Sequence, residues 1–235
     1  MPKCSRPIAG LERDFDVRVI TQNVDNLHER AGSTHILHLH GELTKLRSTD
    51  DPSLILPFDG VEQGFDDRAP DGSLLRPHIV FFGEPVPEFD RAAELAAGAD
   101  ILMVVGTSLA VYPAASLVRC VRPDIPVYVV DPGRPAIRGV RNPLEVIRKR
   151  AAEGVPELAD HPGLLSVLVF PLSALPLSFA FRFRLFPAAR CGSGWLLLGF
   201  THIPIRLTPS PARFAPPRLV ALCDPLRGCT SVCSV

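Results

Sequence analysis

The sequence has no excess of charge of either sign, since 25 lysine and arginine residues balance 25 aspartate and glutamate residues. Proteins that bind nucleic acid or anionic surfaces through charge carry a basic excess. We therefore expect no nucleic-acid partner. The overall charge balance hides a difference between two segments. Residues 1–160 carry 18 basic and 24 acidic side chains. Residues 161–235 carry seven arginines, no lysine and a single acid, Asp224.

The sequence also lacks cysteines at the spacing of a zinc ribbon or a redox pair. None of the six cysteines forms a Cys-x-x-Cys pair, which argues against a zinc ribbon and against a thioredoxin-type pair. The first 16 residues contain no apolar run of the kind that a secretory signal needs. Scattered cysteines without a disulfide framework fit a reducing compartment. We expect a cytoplasmic protein.

A histidine-rich segment, HILHLH, invites a metal interpretation because His38 and His40 would share one face of a strand. No cysteine is near, and Glu42 is the only close acid in the sequence. Zinc sites usually collect more ligands at such spacing. We therefore expect no metal site, and interpret His28, His35, His38 and His78 as structural or surface histidines.

Short apolar runs alternate with helix-forming stretches between residues 17 and 154. The predicted strands are 17–24, 35–43, 78–84, 101–109 and 127–133, and the predicted helices are 87–100, 112–122 and 142–154. Runs that are apolar on both faces predict a parallel sheet covered by helices on both sides. Ligands bind beyond the carboxyl ends of such strands. Gln22–Asp25, Gly106–Ser108 and Asp131 each follow an apolar run, so we expect them to line one crevice.

Two further regions depart from this pattern. Residues 44–77 are rich in Asp, Gly and Pro, which predicts a small loop-rich module inserted in a domain that spans 1–160. Residues 161–235 hold ten of the 25 prolines and keep no period. We interpret them as an irregular, non-native or disordered tail, such as the product of a shifted reading frame. The alternative is a membrane helix over the uncharged residues 161–181, against which two internal prolines stand.

Five stretches arrive in order between residues 21 and 133: TQNVDNLHERAG, LHLHGEL, RPHIVFFGE, VVGTSLAVYPAA and VYVVDPG. Together they resemble the sirtuins, which are NAD-dependent protein-lysine deacylases, and the bacterial members most. The resemblance covers roughly residues 1–160. It implies a Rossmann-like fold, NAD as cofactor and acylated lysine in proteins as substrate.

The resemblance also implies a reaction. The acyl oxygen of the substrate lysine attacks the ribose carbon that carries nicotinamide, and the products are nicotinamide, free lysine and O-acyl-ADP-ribose. His40 matches the catalytic histidine, a general base on a ribose hydroxyl, and imidazole titrates in the right range for that task. Asn23 and Asp25 match the residues that hold the nicotinamide carboxamide and its pocket water.

Further positions carry over from the family to cofactor and substrate. Gln22 matches a ribose contact, Val24 lies in the same motif, and Asp131 falls where the family usually has an asparagine at the adenosine ribose. The loop at the nucleotide matches Gly106, Thr107 and Ser108. The carbonyl of Val80 matches the acceptor for the lysine amide, Phe81 a wall of the acyl tunnel, and Phe82, Gly83 and Glu84 a strand that pairs with the substrate peptide.

Two departures from the family bear on activity. Only 21 residues precede the Gln-Asn-Val-Asp motif, so the glycine-rich segment that grips the pyrophosphate and the first central strand are expected to be missing. An N-terminally truncated sirtuin with weak nucleotide binding and impaired catalysis is therefore the alternative function. Residues 41–82 contain no cysteine, so the small module should hold no zinc and depend on loop packing.

Overall fold

The computed structural model describes residues 4–60, 62–107, 109, 112–133, 135, 139–161, 163–164 and 215–224. The helices and strands below belong to one compact unit made of residues 1–168 and 216–235. The strands, in chain order, are β1 (Asp16–Thr21), β2 (Ile36–His38), β3 (Gly41–Ser48), β4 (Ile55–Pro57), β5 (Leu75–Ile79), β6 (Ile101–Val105), β7 (Val127–Val130), β8 (Leu144–Ile147) and β9 (Arg218–Cys223). The helices are α1 (Ser5–Gly10), α2 (Leu27–Ala31), α3 (Phe89–Ala97) and α4 (Ala151–Ala159), with short 3₁₀ helices at Leu11–Arg13 and Ala114–Arg119.

The main sheet has six parallel strands in the order β2-β1-β9-β6-β7-β8. All five residues of β6 and all four of β7 are buried, as expected of strands covered on both faces. Residues of α1 and α4 pack in the core on one face, and α3 with the second 3₁₀ helix packs on the other. The predicted Rossmann-like parallel sheet with helices on both faces is confirmed.

The central position between β1 and β6 is filled by β9, which comes from the far end of the chain. Leu219, Val220 and Ala221 have no exposed surface. The Asp100 carboxylate accepts the backbone N–H of Arg218 at 2.9 Å, and the Arg218 guanidinium lies 3.3 Å from Asp16. The sheet of the described residues therefore has no gap at its centre, contrary to the sequence expectation. Backbone hydrogen bonds to β1 and β6 hold β9 in this position. The pattern of apolar residues within one segment does not predict which strands it will pair with.

The nature of the rest of segment 161–235 stays a prediction. Residues 215–224 form or flank β9 and so belong to the core, which corrects an interpretation of the whole segment as irregular. The predicted span 161–181 lies almost entirely outside the described residues. Within the part that the structure describes, no helix has the length and apolarity needed to cross a membrane.

Two element predictions are corrected. The predicted helix 142–154 is a strand, β8, followed by α4, because the β-branched Val146 and Ile147 pair with β7 at the sheet edge. The predicted strand 35–43 is divided between two sheets. β2 joins the main sheet, and after Leu39 and His40 the chain enters β3 of a separate antiparallel sheet. Gly41, at φ +80°, makes that turn.

The small module is a three-stranded antiparallel sheet, β4-β3-β5, held by a buried polar cluster. The Ser48 hydroxyl lies 2.8 Å from the Asp71 carboxylate and 2.6 Å from the Ser73 hydroxyl. It also accepts the backbone N–H groups of Asp50 and Asp51. Hydrogen bonds therefore tie the turn after β3 to the start of β5, in addition to the loop packing that the sequence predicts.

The absence of zinc stays a prediction, which metal analysis of purified protein tests.

Candidate functional site

A cleft of about 260 Å³ opens beyond the carboxyl ends of β1 and β9. It brings together side chains from five separate stretches of the chain, as expected of the binding edge of a parallel sheet. The lining residues are Gln22, His40, Val80, Phe81, Phe82, Gly83, Glu84, Val86, Tyr112, Pro113 and Asp224. Seven of these were predicted as site residues from the sequence.

His40 lies half-buried in this cleft, immediately after β2. Its Nδ1 is 3.3 Å from the backbone carbonyl oxygen of Gln22. A carbonyl only accepts, so Nδ1 carries the proton and donates it. The other nitrogen, Nε2, then holds the lone pair of a neutral imidazole. This tautomer leaves His40 able to take a proton from a bound group.

The polar loop after β1 is fixed mainly through its backbone. The N–H of Asn23 donates to the Thr21 hydroxyl at 3.0 Å, and the carbonyl of Val24 accepts from Leu43 at 2.8 Å. The side-chain oxygen Oδ1 of Asn23 is buried and has no hydrogen-bond partner among the described residues. The Oδ1 of Asp25 accepts the N–H of Leu27, the first residue of α2, at 3.0 Å. Asn23 and Asp25 follow the cleft residue Gln22 in the sequence, but they do not line the cleft.

The stretch from Val80 to Glu84 forms the apolar wall of the cleft. Phe81 is half-exposed and Phe82 is fully exposed. The Glu84 carboxylate accepts the N–H of Phe81 at 3.0 Å and a bidentate pair from Arg76 at 2.7 and 3.2 Å. The Arg76 guanidinium holds the pKa of Glu84 below its ordinary value. The ion pair therefore fixes the turn that presents both aromatic rings.

Gly106 and Thr107, after β6, and Asp131, after β7, do not line this cleft. Thr107 is buried, and its hydroxyl accepts the N–H of Leu109 at 3.1 Å. Gly106, at φ +68°, has no room for a side chain, because a Cβ would lie 2.8 Å from the carbonyl oxygen of Asp224. The close approach that this glycine permits is thus to the end of β9. Ser108 lies outside the described residues.

Asp131, at the end of β7, is 1% exposed. Its Oδ1 accepts the N–H of Gly133 at 2.7 Å, and its Oδ2 has no hydrogen-bond partner in the described part of the chain. A buried carboxylate oxygen without a partner is costly, so such atoms mark places where a ligand or water completes the bonding. This oxygen is an acceptor suited to a hydroxyl group.

Sequence reasoning did not single out four of the lining residues. Tyr112 and Pro113 belong to a quoted motif, and Val86 follows another, but no periodicity marks them as cleft residues. Nothing in the sequence around Asp224 predicts a place in the cleft, because its position depends on the pairing of β9. The neighbouring Cys223 is not a nucleophile, because burial raises the pKa of its thiol to about 12.

One group of side chains has the spacing of metal ligands. A ligand atom from each of Glu29, His38 and Glu42 lies within 4.8 Å of the others. Both carboxylates already have cationic or N–H partners, since Nε2 of His38 is 2.7 Å from Glu29 and Lys45 is 2.6 Å from Glu42. Burial opposes ionisation of Glu42, yet the Lys45 contact lowers the pKa of its carboxyl. Each carboxylate of the group therefore already has a partner among the described residues, and the absence of a metal site stays a prediction.

Comparison with known proteins matches residues 3–113 to the Sir2 family. An NAD-dependent protein deacylase of Bacteroides thetaiotaomicron is 51% identical over 156 residues, which cover 64% of this chain and 66% of that protein. Among the first four curated relatives, the chain spans 56–66% of their length.

Solved structures agree with the sequence match. A Sir2 homologue in complex with ADP-ribose is 34% identical, with a TM-score of 0.61, and the match covers 72% of this chain and 70% of that one. A Sir2 structure bound to acetylated peptide is 28% identical, with a TM-score of 0.58, covering 69% and 71%. Fold, cleft and motif order thus lead to one assignment, and the chain belongs to the Sir2 family, the sirtuins.

Proposed function

We propose that this protein removes acyl groups from protein lysine in an NAD-dependent reaction, with His40 as the general base. The observation that carries the proposal is the hydrogen bond from Nδ1 of His40 to the Gln22 carbonyl, at 3.3 Å in the cleft. This bond leaves Nε2 unprotonated in the neutral ring, ready to accept the proton of a ribose hydroxyl.

Two buried oxygen atoms support NAD as the second substrate. The unpartnered Oδ1 of Asn23 suits an N–H of the nicotinamide carboxamide, and the unpartnered Oδ2 of Asp131 suits a ribose hydroxyl. When bound, NAD supplies the ribose carbon that the acyl oxygen attacks as nicotinamide leaves. Gln22 would contact the ribose, Val24 and Asp25 the nicotinamide side, and Gly106, Thr107 and Ser108 the nucleotide.

The aromatic wall supports an acylated lysine peptide as the first substrate. Phe81 and Phe82 offer exposed apolar surface beside His40, as an acyl chain requires. The carbonyl of Val80 would accept from the lysine amide. Residues 81–84 form a turn rather than the predicted strand, so strand pairing with the peptide would require this turn to open. Relatives named NAD-dependent protein deacylases, and Sir2 structures with ADP-ribose and acetylated peptide, support the same function. We also propose a cytoplasmic location.

Nicotinamide release from NAD in the presence of an acetylated or succinylated lysine peptide tests the proposal. We expect peptide-dependent release by the full chain and a loss of roughly 100-fold or more in His40→Ala, the size typical of a general base. His35→Ala is the matched control, since His35 is exposed and lies outside the cleft. Equal rates in the full chain and His40→Ala would defeat the proposal. No release by either would favour the alternative, a sirtuin with impaired nucleotide binding.

A further inference from the structure

A second histidine, two residues before His40, holds the next carbonyl of the same loop. Nδ1 of His38 lies 3.1 Å from the backbone oxygen of Asn23. On the other side of the ring, Nε2 of His38 lies 2.7 Å from the Glu29 carboxylate. The ring is buried, with 7% of its side chain exposed. It therefore bridges helix α2 and the loop after β1 inside the protein.

Both acceptors of this bridge need a proton from the ring. A backbone carbonyl and a carboxylate each accept, so the arrangement is fully satisfied when both ring nitrogens of His38 carry hydrogen. The contact between Nε2 and the Glu29 carboxylate, at 2.7 Å, has the length of a hydrogen bond. Glu29 in turn fixes the ring plane, and so directs Nδ1 at Asn23.

The backbone of Asn23 is consequently held at both ends. Its N–H donates to Thr21 Oγ1 at 3.0 Å, and its carbonyl accepts from His38 at 3.1 Å. The two bonds fix the orientation of the residue about its Cα. The side chain is left with a buried oxygen, Oδ1, that has no partner among the described residues. A backbone held in this way needs little further ordering when a ligand binds to its side chain.

We propose that His38 is a positioning residue, which with Glu29 orients Asn23 to accept a hydrogen bond from the carboxamide of nicotinamide. This inference rests on the proposed function for the identity of the ligand. The orientation of the loop itself does not depend on that function. His38 touches neither substrate in this scheme and acts only through the backbone of Asn23.

Three variants separate the parts of the bridge. His38→Leu removes both ring donors, His38→Asn keeps an N–H close to the position of Nδ1, and Glu29→Gln removes the charge that anchors the ring. Glu29 is 40% exposed in its side chain, so Glu29→Gln keeps the fold testable if the buried variants unfold. The matched control is His161→Asn, because His161 forms a comparable pair with Glu145 at 3.3 Å far along the chain from this loop.

The first measurement is nicotinamide binding to the full chain by calorimetry. We expect His38→Leu to weaken nicotinamide about tenfold, the loss of one hydrogen bond to a neutral group, and Glu29→Gln to weaken it about threefold. His38→Asn should retain most of the affinity, and His161→Asn all of it. Affinity for an acetyl-lysine peptide should be unchanged in every variant. Equal nicotinamide affinity in wild type and in a folded His38→Leu would overturn the proposal.

The second measurement does not require any ligand. Hydrogen exchange followed by mass spectrometry reports the protection of the segment 22–27. We expect faster exchange there in His38→Leu and Glu29→Gln, and wild-type exchange in His38→Asn and His161→Asn. If the wild type binds no nicotinamide but the loop exchanges as expected, the proposed function fails while the positioning role stands. Unchanged exchange in both His38→Leu and Glu29→Gln would refute the positioning role.

Discussion

Nδ1 of His40 lies 3.3 Å from the carbonyl oxygen of Gln22, and this contact joins a catalytic candidate in the turn after β2 to the loop that follows β1. His38 makes the same kind of contact, at 3.1 Å, with the carbonyl of Asn23. Two imidazoles spaced two residues apart thus hold two consecutive carbonyls. Both rings therefore contact the loop that follows β1.

Gly41 is expected to tolerate no side chain. A Cβ there would lie 2.0 Å from the carbonyl oxygen of His78, and its φ of +80° is strained for other residues. We predict that Gly41→Ala destabilises the protein by roughly 3 kcal/mol or more, as large mutational effects do. Gly32→Ala is the control, because Gly32 has a φ of +100° but open space around its Cβ. It should cost only about 1–2 kcal/mol. Urea unfolding measures the loss of stability in each variant. Equal losses would contradict the predicted steric clash between the new Cβ and the His78 carbonyl.

Ser48 is expected to hold the small antiparallel sheet together. Its hydroxyl is buried and bonds to both Asp71 and Ser73. We predict that Ser48→Ala lowers the free energy of unfolding by about 1–3 kcal/mol, because partners are left without a bond. The exposed Ser53→Ala should change it little. Hydrogen exchange should show the loss around residues 48–54, and unchanged protection there would count against the cluster as a structural tie.

Leu219 tests whether β9 belongs to the folded core. It is fully buried between β1 and β6. We predict that Leu219→Ala destabilises the protein by about 2–5 kcal/mol, the range for a leucine in a packed core. Leu144→Ala, at a half-exposed edge position, should cost much less. Thermal unfolding of both variants provides the measurement. A negligible effect of Leu219→Ala would mean that the strand does not occupy this position in solution.

Glu84 is expected to stabilise the aromatic turn only when ionised. Its pKa in the folded protein is lowered from 4.5, chiefly by the Arg76 hydrogen bonds. The contribution is therefore complete above pH 4.5 and is lost as the pH falls through the lower, folded value. We predict that Glu84→Gln melts below wild type at pH 7, and that this gap closes in the acid range. Glu88→Gln, which breaks an exposed pair with Arg91, serves as control. A gap independent of pH would exclude ionisation as the cause.

Much of the fold could be predicted because the signals are local. The apolar runs of β6 and β7 and the helical spacing of α3 ending at Gly98 are written in neighbouring residues. The order of the motifs predicted that His40 and residues 80–84 belong to one site, and both line the cleft. Roles of these residues stay predictions until the variants are measured, since geometry alone does not report a reaction.

The sequence by itself determined the family and the parallel sheet, and it predicted which polar residues follow the strands, because these depend on residue types over short stretches. Only the tertiary structure decided that β9 completes the centre of the sheet, that Asp224 enters the cleft and that Glu29 anchors His38. Each of these depends on pairing between segments distant in the chain. Which segments pair depends on the geometry and burial of their backbone hydrogen bonds and ion pairs in the folded chain. The periodicity of one segment does not predict these partners.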